Sequence, residues 1–201
     1  MKHHDGREDI LNTLIDEQIN PGKLALEEAA RLGAFLYIAG HETTTSQIGL
    51  GTLAFLINDA ERQQLQNNSD LAAKAVEEML RYNTLTHLNS ARAAREDFEV
   101  SGVQIRAGES VFALLASANR DPDKFKDPEK FDISREQCPH MAFSFGVHQC
   151  LGQPLARLEL KIVFERLFKR FPNMELAIPY EEVQFVAATQ ALRLSSLPVR
   201  F

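Results

Sequence analysis

"FSFGVHQCLGQPLAR", residues 143–157, sets a cysteine between two glycines, two positions after a histidine, at the start of a helical stretch. The chain has only two cysteines, so Cys150 at such a corner calls for a reason. Three readings compete: a buried apolar thiol, a nucleophile, or a ligand to something held against the loop. A sulfur just before a helix faces unpaired backbone N–H groups and the positive end of the helix dipole. Both favour thiolate over thiol. Gly146 and Gly152 let the backbone approach a bulky flat ligand on either side of that sulfur. Phe143 offers an apolar wall that keeps water from a metal–sulfur bond, and His148 a hydrogen bond to an anionic group. A nucleophile could take His148 as its base, but that leaves Phe143 and both glycines without a role. The rival sulfur, Cys138, sits in a polar loop without the flanking pattern and reads as an ordinary thiol.

Bulk properties narrow the class. The chain has 201 residues, 44% hydrophobic and 25% charged, which is ordinary for a soluble globular protein with a sizeable core. A formal charge of −6 without a long Lys/Arg block argues against nucleic acid as the main partner. Two cysteines are too few for a disulfide framework, which points to a reducing, cytoplasmic setting. The N-terminal stretch with His3 and His4 carries no secretion-type apolar run. Between Leu32 and Ile57 the only formal charge is Glu42, yet polar "GHETTTSQ" fills the middle of the segment. A membrane-spanning helix is most apolar there, so the segment reads as a helix buried in protein, with no membrane span.

The rest of the chain reads as mainly α with small β-sheets. "EDILNTLIDEQI" places Ile10, Leu11, Leu14, Ile15 and Ile19 on one helical face, ended by Asn20-Pro21-Gly22. One long helix is expected from Lys23 to Asn58-Asp59, apolar on most sides. Another is expected over residues 69–83, capped by Ser69 or Asp70. Short β-like runs follow at Phe98–Val100, Val103–Ile105 and Ser110–Leu115. A loop-rich stretch leads to a helix over about Leu151 to Arg170, and the tail from Phe185 reads as a closing hairpin. Glu78 and Arg81, in "EEMLR", are spaced to pair on one helix face.

The Phe143-x-x-Gly146-x-His148-x-Cys150-x-Gly152 pattern resembles the haem-binding signature of the cytochrome P450 superfamily, of the bacterial soluble type. "AGHETT" resembles that family's oxygen-activation motif, "EEMLR" its Glu-x-x-Arg structural pair, and the motifs occur in the family's order. The resemblance runs from about Glu8 to Phe201. It implies the C-terminal haem-binding half of the cytochrome P450 fold as one partial domain over residues 1–201, with the N-terminal half absent. It assigns Cys150 as axial ligand to the iron of haem b (iron protoporphyrin IX), with Phe143, Gly146, His148 and Gly152 around it. Glu42 and Thr43 become the proton relay, and Ala39 and Gly40 line the pocket. Arg92 and His148 pair with haem propionates, and Glu78 with Arg81 ties the core together. The pair's third partner in the family is an arginine; here Pro128-Glu129-Lys130-Phe131 carries lysine, which lacks the planar fork. Arg157 matches a position used for docking an electron donor.

The function so implied is a haem-thiolate monooxygenase. It inserts one oxygen atom of O2 into a small lipophilic substrate, with electrons from a ferredoxin or reductase and ultimately from NAD(P)H. Pocket residues would come from Ile38 and Ala39, the Leu85–Asn89 segment and the Thr189–Ala191 turn. The alternative is a truncated, catalytically inactive haem-binding remnant or partner-binding fragment. With half the fold absent, the long apolar helix should expose a large apolar patch.

Overall fold

The computed structural model describes residues 8–86, 91–136, 138–186 and 191–201. His3, His4, the His87–Asn89 part of the expected pocket segment, and Thr189 and Gln190 lie outside these. The chain divides into two compact units, Met1–Thr43 and Thr44–Phe201.

In the first unit, α1 (Ile10–Leu14) runs into a single wide π turn at Ile15–Ile19. The Asp9 side chain caps α1 by accepting from the Asn12 amide at 2.9 Å. Chain reversal follows through Gly22, whose φ of +76° suits only glycine. The Ala25 amide then donates to Glu28 Oε2 at 2.8 Å, half of a capping box that opens α2 (Leu26–Ile57). Leu11, Leu14, Ile15 and Ile19 line an apolar groove with Leu26, Ala29 and Gly33, as the periodicity predicts. Ile10, expected on that face, is exposed, and the buried polar residue is Asn12. Phe35, Tyr37 and Ile38 are also exposed, the apolar patch anticipated for this helix.

The second unit holds the core. Its elements are the C-terminal part of α2, α3 (Asp59–Asn67), α4 (Ala72–Tyr82), β1 (Arg92–Ala93), β2 (Phe98–Val100), β3 (Val103–Ile105) and β4 (Ser110–Val111). They continue with α5 (Leu115–Ala118), α6 (Gln153–Arg170), β5 (Glu175–Leu176) and β6 (Val199–Arg200). Leu160, Phe164 and Phe168 repeat every four residues, so α6 turns one buried stripe toward the core. Phe55 of α2 meets Phe168 at 5.4 Å and, edge-on at 81°, Phe131 at 5.1 Å. At Gly51 an added Cβ would lie 2.0 Å from Met79 Sδ and 2.8 Å from Phe164 Cζ. Glycine there lets α2 approach α4 and α6 closely.

Several expected boundaries move. The long helix ends at Ile57, and α3, unforeseen, follows; it is polar except for buried Leu65. The cap before α4 is Asn68, whose side chain accepts from the Asp70 amide at 3.1 Å, and a single 3-10 turn at Ser69–Leu71 precedes the helix. The Ser110–Leu115 run keeps strand geometry only at Ser110–Val111, and Leu115 starts α5.

Among the described residues, three antiparallel pairs form: β1 with β4, β2 with β3, and β5 with β6. Ser101 (φ 49°) and Gly102 (φ 81°) join β2 to β3, and two positive φ values in a row fit the twist of a tight hairpin. The tail keeps one bridge of the expected hairpin, Phe185 to Leu194, but β6 pairs back with β5 instead.

Candidate functional site

The site's scaffold is a buried ionic knot on α4. Arg81 Nε and Nη2 donate to the two oxygens of Glu78, each at 2.8 Å, with the side chains 0% and 1% exposed. Such a pair survives burial only if its other hydrogen-bonding positions are filled. They are filled from the loop after α5: Arg81 Nη1 donates to the carbonyls of Asn119 and Pro128, both at 2.8 Å, and Nη2 to that of Lys130 at 3.0 Å. Glu78 accepts from the Asp132 amide at 2.9 Å and from Arg135 Nε at 3.1 Å. Arg135 thus supplies the second guanidinium. Lys130, where the family pattern suggested that partner, sends its Nζ to Asp132 and contributes to the knot only a carbonyl.

From the knot the chain is led toward the cysteine loop. Asn119, 0% exposed, donates to Thr84 Oγ1 at 2.7 Å and accepts the Met141 amide at 2.6 Å. Cys138 lies on the way, its Sγ 3.5 Å from the Glu77 carbonyl. Burial, reinforced by the Glu78 carboxylate, pushes this thiol up to about 12, so it stays protonated and inert. The ordinary-thiol reading of Cys138 fits that environment.

The loop itself is short and bent. Ser144 (φ 61°) and Gly146 (φ 81°) are both left-handed, a conformation that only glycine adopts without strain. A single 3-10 turn at Gly146–His148 follows, and the Cys150 amide donates back to the Phe143 carbonyl at 3.0 Å. Gly152 caps α6, with Pro154 in the first turn, where its missing N–H costs nothing. Cys150 is exposed. A Cβ at Gly152 would come within 3.9 Å of its sulfur, and one at Gly146 would meet nothing within 4 Å. The same loop exposes large apolar side chains: Val147 is 97% exposed, Leu151 88% and Phe145 78%.

An exposed thiol in a glycine-flanked loop that also exposes apolar side chains, backed by a buried Glu-x-x-Arg knot, has a counterpart among known proteins. The family model "Cytochrome P450" matches residues 2–184. Cytochrome P450-SU2 of Streptomyces griseolus is 42% identical over 94% of this chain and 47% of its own length. The polyketide biosynthesis cytochrome P450 PksS of Bacillus subtilis is 40% identical over 96% of the chain and 48% of its own. The structure of Streptomyces peucetius CYP105P2 in complex with a biphenyl compound superposes with a TM-score of 0.92, at 42% identity over 98% of the chain and 50% of that protein. The chain belongs to the cytochrome P450 family. It spans about half the length of the relatives it matches.

Within this P450 chain the second unit brings together Phe143, Gly146, His148, Cys150 and Gly152 on one loop, with Glu78 and Arg81 behind it. His148 is exposed at the end of the 3-10 turn, and Arg92 is exposed on β1. Ala39, Gly40, Glu42 and Thr43 belong to the first unit. The sequence reading buried this stretch; here Ala39 to Thr43 are exposed, and beyond them burial on α2 resumes at Ser46. Apolar composition alone foretold burial, and among the described residues that turn is exposed. Thr43 Oγ1 donates to the Ala39 carbonyl at 2.7 Å, the back-bond expected of a helical threonine. The Arg157 guanidinium is engaged by Glu77, Gln153 and the Phe143 ring.

Sequence reasoning missed Arg135, Asn119, Glu77 and His140. Arg135 had a signal, an arginine four residues beyond Phe131 in "FDISR". The others are polar residues whose partners lie 22 to 80 positions away, which no local pattern records.

Among the described residues no cluster of three or more His, Cys, Asp or Glu could hold a bare metal ion. No helix among them is long and apolar enough to cross a membrane.

Proposed function

We propose that this chain is the haem-binding half of a haem-thiolate monooxygenase that inserts one oxygen atom of O2 into a small lipophilic substrate. Electrons would come from a ferredoxin or reductase, ultimately from NAD(P)H. One observation carries the reading: the exposed Cys150 thiol, flanked in sequence by Gly146 and Gly152, on a loop that also exposes Phe145, Val147 and Leu151. A flat apolar ring meets no Cβ from either glycine and covers the apolar side chains that water now wets. Bound haem supplies oxygen-activating iron, whose electron density an axial thiolate raises.

The chain's own groups take the remaining roles. Cys150 Sγ would be the donor that holds the haem iron. His148 and Arg92 offer hydrogen bonds and positive charge to the propionates. Phe143 keeps an apolar ring beside the loop. Glu42 and the Thr43 hydroxyl hold the proton relay: Thr43 Oγ1 donates to the Ala39 carbonyl, so its lone pairs can accept a second donor. The biphenyl compound bound to the Streptomyces peucetius relative supports a lipophilic substrate.

The deciding experiment loads the purified chain with haem and records the carbon monoxide-bound reduced spectrum, beside Cys150→Ala. A thiolate-type band lost in Cys150→Ala is expected; an identical spectrum in both rules out Cys150 as ligand. With a complete P450 built from this half, Thr43→Ala should consume electrons without matching product. Unchanged coupling would remove Thr43 from the relay. The runner-up, a half that binds haem without turnover, is favoured by the exposed Phe35, Tyr37 and Ile38, an apolar surface that a working pocket would cover. Haem binding with no turnover on any electron supply would select it.

A further inference from the structure

Between α4 and α6 lies a charged cluster that the ligand reading leaves unused. The Glu77 carboxylate accepts from Arg157 Nε at 2.7 Å and Nη2 at 3.1 Å, and lies 3.0 Å from His140 Nε2. The His140 tautomer follows from its other nitrogen: the Ala142 amide donates to Nδ1 at 3.2 Å, so Nε2 carries the proton and donates to Glu77. The His140 side chain is 2% exposed. Burial alone would raise the Glu77 carboxyl. The hydrogen bonds from His140 and Arg157 and the Arg157 charge outweigh it and bring the carboxyl to about 2.

Both partners of Glu77 touch Phe143. The Arg157 guanidinium lies 4.7 Å from the Phe143 ring centroid, while Nη1 donates to Gln153 Oε1 at 2.7 Å. The His140 ring centroid is 6.0 Å from the same ring. Phe143 in turn accepts the Cys150 amide at 3.0 Å, so an unbroken set of contacts runs from Glu77 to the candidate ligand.

We propose that Glu77 is a positioning residue for Cys150: paired with Arg157 and His140 it fixes the Phe143 ring, and the Phe143 carbonyl fixes the Cys150 amide. The consequence for haem rests on the reading of Cys150 as ligand; the positioning itself does not. Groups that orient a metal ligand are worth about ten-fold or more in metal affinity.

The test compares the full chain with Glu77→Gln, Arg157→Lys and the double variant, with Cys150→Ala as reference. In the haem-free chain, hydrogen exchange at the Cys150 amide should quicken about ten-fold in each single variant while α3 amides keep their rates. In the haem-loaded chain, haem release should quicken about ten-fold. The double variant should lose no more than Glu77→Gln, because Glu77 acts through Arg157. Arg157 is half-exposed, so Arg157→Lys tests the idea even if Glu77→Gln does not fold. Unchanged Cys150 exchange and haem release in Arg157→Lys overturns the proposal. Faster exchange spread through α3, or additive losses in the double variant, overturns it as well, leaving Glu77 a general stabiliser. If the parent chain has no Cys150-dependent band, the ligand reading alone falls, and amide exchange still decides the positioning.

Discussion

The knot at Glu78 and the loop at Cys150 face opposite problems, although Cys138 and Cys150 are twelve residues apart. At the knot, two opposite charges sit out of water, and Arg81 and Glu78 have their partners within the chain. At the loop, the thiol and the apolar side chains of Phe145, Val147 and Leu151 are exposed, and Ser144 holds a left-handed backbone. A finished interior and an unfinished rim therefore share one scaffold. Structural work is complete where charges are satisfied internally; functional capacity remains where a group has no partner of its own.

That contrast can be broken from the inside first. Arg81→Met should cost about 3–5 kcal/mol, because it leaves the buried Glu78 carboxylate without its closest partner and strips the Asn119 and Pro128 carbonyls of a donor. Loss of a cooperative urea transition is the expected result, and a near-normal midpoint would mean the knot is dispensable. Next in size is Gly51→Ala. Its Cβ has no room beside Met79 and Phe164, so a cost of about 1–3 kcal/mol should appear in thermal melting. A variant as stable as the parent would show that α2 can shift freely on α4.

Acid sharpens the comparison. Glu77 is depressed from 4.5 to about 2, so its contribution is fully present above the higher value and lost as pH falls through the lower one. Melting temperature in the parent should fall more steeply across that window than in Glu77→Gln, and parallel curves would deny the pairing. The smallest effect belongs to the rim. Cys150→Ala, at an exposed position, should change stability by less than about 0.5 kcal/mol, a change that calorimetry checks, while abolishing the thiolate band. A large loss of stability there would place Cys150 with the scaffold after all.

How much of this was legible beforehand differs by residue. Cys150 with its glycines and Phe143 stands on ten consecutive positions, and Glu78 with Arg81 on one helical turn, so both could be read directly. The partner of Glu78 could not: Lys130 occupied the expected place, while Arg135, 57 residues from Glu78, made the contact. The exposure of Glu42 and Thr43 was misjudged for a related reason, since burial depends on what else folds over a turn.

The amino-acid order by itself determined the local features: the bend at Gly146, the helix after Gly152, the stripe on α6 and the chemistry offered at position 150. Those depend on backbone preference and spacing over a few residues. Tertiary structure alone decided that Arg135 rather than Lys130 joins the knot, that Arg157 is bound by Glu77, and that one thiol is half-buried while the other meets solvent. Each is an outcome of chain segments far apart in sequence competing for the same space and the same charge, and such competition is resolved only when they pack.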